Sequence, residues 1–295
     1  MKKIMVFTHM DLDGWGCYQL LRWTFPGAII DIQPATVDTF RELYTTWIAN
    51  HEIDDYNMVF IMDLDVSPDK EFIDKKGIMI IDHHKSHAID ASYTHAKAVV
   101  KDYSSATKLA YKVFNKLFNL NLPDNKKKLI AIIDDYDSYK LQVPESKKLN
   151  TIFWETNDRF RTLSDAFIQG FNGFTVHQEN MIRLHDNNVD NHIRDLDIYK
   201  GTVNIQNKDR QVYATFSKEY TNDVADLLLH KHKADIAIVV NPRTEHISFR
   251  KARSQEDLNL LELAKLIADG GGHEYASGGR VTEKFTEFCK LLTPL

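Results

Sequence analysis

The segment His9-Met10-Asp11-Leu12-Asp13-Gly14 carries three ligand-type side chains at alternate positions. On an extended backbone alternate side chains point the same way, which would aim all three at one site. Alone, the segment also fits a polar loop with an N-cap aspartate. Asp63 follows the apolar run 58–62, and alone it reads as an ordinary capping or loop residue. Asp82-His83-His84 follows the run 77–81, where the competing reading is a solvated turn. Carboxylates and imidazoles without sulfur suit Mn(II), with Mg(II) as the alternative, two ions to a site. Such a pair can activate a water and offset charge growing on phosphorus. Holding the ions close requires a bridging carboxylate, and Asp63 is placed for that role. No serine or cysteine nucleophile with a local base is visible, which favours direct attack by water.

These residues need a frame that gathers them. Residues 3–8 read as a buried strand, 9–16 as a loop and 17–25 as a helix. Strand, polar loop, helix opens an α/β unit, and ligand sites lie at such strand ends. The pattern returns at 58–62, with a helix start at Ser67-Pro68, and at 77–81. A helix over 104–120, capped by Ser104 or Ser105, precedes a helix over 126–133 that runs into Asp134, Asp135 and Asp137. A doubly wound, mostly parallel sheet would bring these ends to one edge. Residues 161–200 read as a helical connector with apolar positions at Phe167, Phe171, Met181, Ile182, Leu184 and Val189. Strands at 202–207, 212–216, 236–241 and 246–250, with helices at 222–230 and 258–268, describe a smaller second α/β domain over 201–295. The first domain is expected to span 1–160.

The bulk composition narrows the function. With 295 residues, 43% of them apolar, the chain can bury two ordinary cores. Its formal net charge of -5 argues against a long-duplex binder, so any nucleic acid is expected to be short. Two cysteines, Cys17 and Cys289, stand too far apart in sequence for a C-x-x-C zinc site. Neither a signal peptide nor a run approaching the roughly 18 apolar residues of a membrane span is visible. The expected location is the cytoplasm, without membrane partners, and a homodimer is left open.

His9-x-Asp11-x-Asp13-Gly14, Asp63 and Asp82-His83-His84 together resemble the signature of the DHH phosphoesterases. Gly270-Gly271-Gly272-His273, with Ala276-Ser277-Gly278 behind it, resembles the glycine motif of the DHH-associated C-terminal domain. The resemblance covers nearly the whole chain and is nearest to nanoRNase B-like oligonucleotide exonucleases. It implies that His9, Asp11 and Asp63 hold one metal, while Asp13, Asp63, His83 and a further aspartate hold the other. Residues 134–139 are similar to a Tyr-Asp-Thr-Trp segment of that group, and Lys148-Leu149-Asn150 to an Asn-containing stretch downstream. On that match the further ligand is Asp137, with Asp135 the alternative that spacing does not separate. His84 would face the substrate phosphate and is grouped with Asp82 as catalytic. Ser105-Ala106-Thr107 resembles a family segment near the site and is equally a helix start.

The same resemblance makes the second domain a substrate grip. Consecutive glycines let backbone N–H groups approach an anion, so Gly271, Gly272 and His273 are expected at the substrate. Ser248-Phe249-Arg250 resembles the family's Ser-x-Arg strand, and Arg250 suits a phosphate. Arg253 and Arg280 read as solvated charges. Glu274-Tyr275 departs from the family, where many members have a small residue or proline and then alanine. The implied activity is hydrolysis of short oligonucleotides to nucleoside monophosphates. The alternatives are a cyclic or linear dinucleotide hydrolase, a phosphoadenosine phosphate hydrolase, and, from another class, an idle nucleotide-binding module.

Overall fold

The computed structural model describes residues 1–89, 91–272 and 274–295. It divides into two compact units, Met1–Ile182 and Arg183–Leu295. In the first unit, strands β1 (Lys3–His9), β2 (Ile29–Ala35), β3 (Met58–Met62), β4 (Ile78–Asp82) and β5 (Lys97–Val100) form a five-stranded sheet in the order β2-β1-β3-β4-β5. Every neighbouring pair is parallel. The helices are α1 (Leu12–Thr24), α2 (Val37–Ile48), α3 (Lys70–Ile73), α4 (Lys85–Ile89), α5 (Ala106–Phe118), α6 (Asp124–Asp137), α7 (Pro144–Glu155) and α8 (Arg159–Ala166).

Apolar side chains alternate between two cores. Val6, Phe60, Met62 and Ile81 pack with residues of α1, α5, α6 and α7. Phe7, Val59, Ile61 and Ile80 pack with Phe40, Tyr44 and Trp47 of α2. A strand buried on both faces reads as an unbroken apolar run, which is why β1, β3 and β4 stand out in sequence. The register sets Thr8 beside Met62 and Met62 beside Ile81. Consequently His9, Asp63 and Asp82 emerge at one level of one sheet edge. The strand order reverses between β1 and β3, and open α/β sheets bind ligands at such a switch point.

The expected helical segment 161–200 is α8, a non-helical stretch at 167–175, and α9 (Val176–Arg194), which runs past the last residue of the first unit. Phe167, Phe171 and Ile182 are buried as apolar positions should be, whereas Leu184 is 57% exposed. The second unit contains β6 (Ile198–Ile205), β7 (Lys208–Phe216), α10 (Thr221–His230), β8 (Ile236–Asn241), β9 (His246–Lys251), α11 (Leu260–Ala268), β10 (Gly271–Gly272), β11 (Ala276–Arg280), α12 (Glu283–Cys289) and β12 (Thr293–Pro294). Its seven strands run in the order β10-β11-β9-β8-β7-β6-β12. The fold is α/β in both units. Among the described residues no helix is long and apolar enough to cross a membrane.

Candidate metal centre

The alternating segment is not extended, which corrects the geometry read from its spacing. His9 ends β1, Asp11 caps α1 by accepting from Gly14 N at 3.0 Å, and Asp13 lies in the first helical turn. A strand end, an N-cap and a first turn thus deliver the three side chains, where N-terminal N–H groups favour carboxylates. Gly14 is required by sterics, because a Cβ there would lie 1.9 Å from the His9 carbonyl oxygen. The start of α5 grips Asp13 in turn. Ala106 N and Thr107 N donate to its carboxylate at 2.6 and 2.9 Å, and Thr107 Oγ1 donates to its carbonyl at 2.8 Å. Ser105 caps α5, so the Ser105-Ala106-Thr107 segment is both a helix start and a neighbour of the centre.

Asp63 is buried and adopts φ 57°, in the left-handed region. That conformation costs about 1 kcal/mol or more and persists only where surroundings enforce it. His83 Nε2 lies 3.3 Å from Asp63 Oδ1, 3.6 Å from Asp137 Oδ2 and 3.8 Å from Asp13 Oδ2. Its Nδ1 lies 3.2 Å from the Tyr103 carbonyl oxygen. A proton on Nδ1 satisfies that carbonyl and leaves the Nε2 lone pair for a metal, as imidazole ligands are commonly held.

The acidic cluster on α6 separates into three environments. Asp134 accepts from Ser104, from Ser105 at 3.1 Å and from Lys108 Nζ at 2.6 Å. Asp135 accepts from Gln142 N and Val143 N, both at 3.0 Å, and ties down the loop into α7. Asp137 turns toward His83. Of the three, Asp137 is the one whose carboxylate groups with Asp13 and His83.

Donor atoms of His9, Asp11 and Asp63 lie within 4.8 Å of one another, and so do those of Asp13, His83 and Asp137. Asp63, His83 and His84 form a third such grouping. Asp63 Oδ2 and Asp137 Oδ2 are buried without a hydrogen-bond partner. Burial and the carboxylates of Asp13 and Asp11 push the Asp63 carboxyl well above its usual range. Burial and the Asp13 carboxylate do the same to Asp137. Burial would lower the His83 imidazole, but Asp137 and Asp13 more than reverse this and raise it to about 9. Asp11 goes the other way. Burial works to raise it, yet its contact with His9 at 2.7 Å helps hold it at about 2. Crowded, desolvated carboxylates with orphaned oxygens are what a divalent cation offsets. The all-oxygen-and-nitrogen donor set fits a hard or borderline ion.

Asp82 is fully buried, and its two oxygens meet His84 Nδ1 and His87 Nδ1, each at 2.8 Å. Burial works to raise its pKa, but hydrogen bonds from both rings hold it below the ordinary carboxylate range. Asp82 is therefore placed to orient His84 rather than to touch a substrate itself. His87, whose Nε2 lies 2.6 Å from Tyr93 Oη, was not apparent from sequence. A single histidine in the short α4 carries no spacing signal.

In the second unit, Arg250 extends from β9 and donates to Asn222 Oδ1 at 2.7 Å, beside the first turn of α10. Gly271 and Gly272 are exposed in β10 and pair with Gly278 and Ser277. Gly272 has φ 123°, which favours glycine. His273 lies outside the described residues. The departure at Glu274-Tyr275 has a packing reason. Buried Lys251 donates to Glu274 Oε1 at 2.7 Å, and its Nζ sits 4.1 Å from the Tyr275 ring centroid. These two residues anchor the strand end behind the glycines.

No family model matches the sequence, and no curated protein does. Solved structures do match in fold. The pGpG-specific phosphodiesterase PggH from Vibrio cholerae is 16% identical with a TM-score of 0.57, over 98% of this chain and 96% of that one. Exonuclease RecJ bound to manganese is 12% identical with a TM-score of 0.56, over 98% and 88%. RecJ from Thermus thermophilus in complex with Mn2+ is 12% identical with a TM-score of 0.52, over 98% and 51%. The α/β fold implied by the DHH resemblance is the fold the chain shares with these structures.

Proposed function

We propose that the chain is a cytoplasmic metal-dependent phosphodiesterase that hydrolyses short oligonucleotides to nucleoside monophosphates. One observation carries the reading. Six candidate ligands, His9, Asp11, Asp13, Asp63, His83 and Asp137, converge at the switch point of a parallel sheet, and Asp63 Oδ2 and Asp137 Oδ2 are buried there without a hydrogen-bond partner. His9, Asp11 and Asp63 would hold one Mn(II), and Asp13, Asp63, His83 and Asp137 the other. Bound there, the ions supply an activated water and offset charge growing at phosphorus. Asp82 fixes the His84 ring through Nδ1, and Nε2 is the atom that meets the substrate phosphate. Arg250 and the glycine strand of the second unit would hold a terminal nucleotide phosphate.

The likeness to a pGpG-specific phosphodiesterase favours a linear dinucleotide as the first substrate to try. The test is a rate panel in Mn(II) over di- to decanucleotides, cyclic dinucleotides and phosphoadenosine phosphate. Fastest cleavage of short linear substrates supports the reading. Binding of the panel without turnover would replace it with a nucleotide-binding module.

A further inference from the structure

Arg159 opens α8 beside the candidate metal centre. Its Nη2 reaches the Met10 carbonyl oxygen at 3.5 Å, on the backbone between His9 and Asp11. The guanidinium lies over two rings of α7, with its Cζ 4.4 Å from the Trp154 centroid and 5.0 Å from that of Phe153. Its Nε is buried without a hydrogen-bond partner. Among the described residues it pairs with no carboxylate, although acidic side chains crowd the neighbouring centre. An arginine stacked in this way keeps its fork in a fixed plane, suited to phosphate oxygens.

Trp154 is linked to the other end of the centre. Its Nε1 donates to Asn150 Oδ1 at 3.2 Å, and Asn150 Nδ2 donates to Tyr136 Oη at 2.8 Å. Tyr136 directly precedes Asp137. Phe153 is fully buried while Trp154 remains 48% exposed. An exposed indole stacked on an arginine, tied into a phosphate-handling site, is the arrangement that nucleobases stack on. The frame is packed from beneath, because buried Phe160 meets Phe153 edge-on at 5.9 Å between centroids and Trp15 Nε1 donates to the buried Ser164 at 2.9 Å.

We propose that Arg159 and Trp154 form a substrate-contacting rim on the metal centre. The guanidinium takes an oxygen of the phosphate, and the indole takes the base beside the scissile bond. This places base recognition in the first unit, next to the cutting site, and it rests on the phosphodiesterase reading. It makes the substrate a nucleotide diester rather than a bare phosphate chain.

The test measures equilibrium binding of a dinucleotide whose bridging oxygen is replaced by methylene, in Mn(II), to the full chain. Mn(II) affinity is measured in parallel. R159A and W154A should each weaken the analogue by about 10-fold or more, W154F should restore most of the loss, and Mn(II) affinity should change less than about twofold. R161A, on the same helix, should bind like the wild type. If neither R159A nor W154A changes analogue affinity, or if the wild type does not bind the analogue, the rim is overturned. Equal loss of Mn(II) and analogue affinity in R159A would also overturn it, and would make Arg159 a positioning residue acting through Met10. A wild type that binds with this mutational pattern but hydrolyses no phosphodiester would sustain the rim and defeat the enzymatic reading.

Discussion

At the scale of single residues, two aspartates separated by one position do different work. Asp135 accepts two backbone N–H groups, and Asp137 faces His83. Spacing alone did not separate them, because the choice depends on how α6 ends and the loop folds back. D137N should weaken Mn(II) binding at least tenfold, measured by titration calorimetry, without lowering the melting temperature in chelator. D135N should cost roughly 1–3 kcal/mol of stability, read by denaturant unfolding, and spare Mn(II) affinity. The opposite ranking would put the register of the acidic cluster two residues out. Asp63 yields a prediction with opposite signs. Its folded-state carboxyl is raised above the unfolded value. Its contribution to metal-free stability is therefore full below the unfolded pKa and is lost as pH rises through the folded one. D63N removes that cost and tolerates the left-handed backbone. In chelator at neutral pH, D63N should melt higher than wild type, yet it should no longer be stabilised by Mn(II). A lower melting point in chelator would contradict the electrostatic picture.

At the scale of elements, the centre is built where strands end and α1 begins, with Asp137 supplied by the last turn of α6. β1, β3 and β4 are legible in sequence because both their faces are buried. The edge strands β2 and β5 are not. Pro34 sits in β2 and Lys97 opens β5, and both weaken an apolar run. The start of α1 is hidden, because an N-cap aspartate followed by an acidic first turn looks like a loop. The ligand motif was legible all the same, since residue types survive an error in backbone geometry. Trp154, Arg159 and His87 are not legible, because none of them belongs to a spaced motif and only the fold brings Arg159 against the backbone at Met10. The close approach at Gly14 tests this scale. G14A pushes a Cβ against the His9 carbonyl and should cost roughly 1–3 kcal/mol. It should also lower Mn(II) affinity, because His9 and Asp11 flank the distorted turn. Unchanged melting temperature and Mn(II) affinity in G14A would show that the turn can relax.

At the scale of the whole molecule, the proposal gives the chemistry to the first unit and a hold on substrate to the second. If Arg250 holds a substrate phosphate as proposed, R250A removes a charge-assisted contact worth about 1.5–3 kcal/mol. KM for a short oligonucleotide should rise on the order of 10- to 100-fold with kcat little changed. A fall in kcat with KM intact would instead tie Arg250 to the chemical step. The central claim is that paired ions in the Asp/His cluster drive hydrolysis. It is tested most directly by titrating Mn(II) into chelator-treated protein while following cleavage of a linear dinucleotide. Two-metal catalysis predicts two equivalents bound per chain, with turnover appearing as the second site fills. Undiminished cleavage in excess chelator would contradict it.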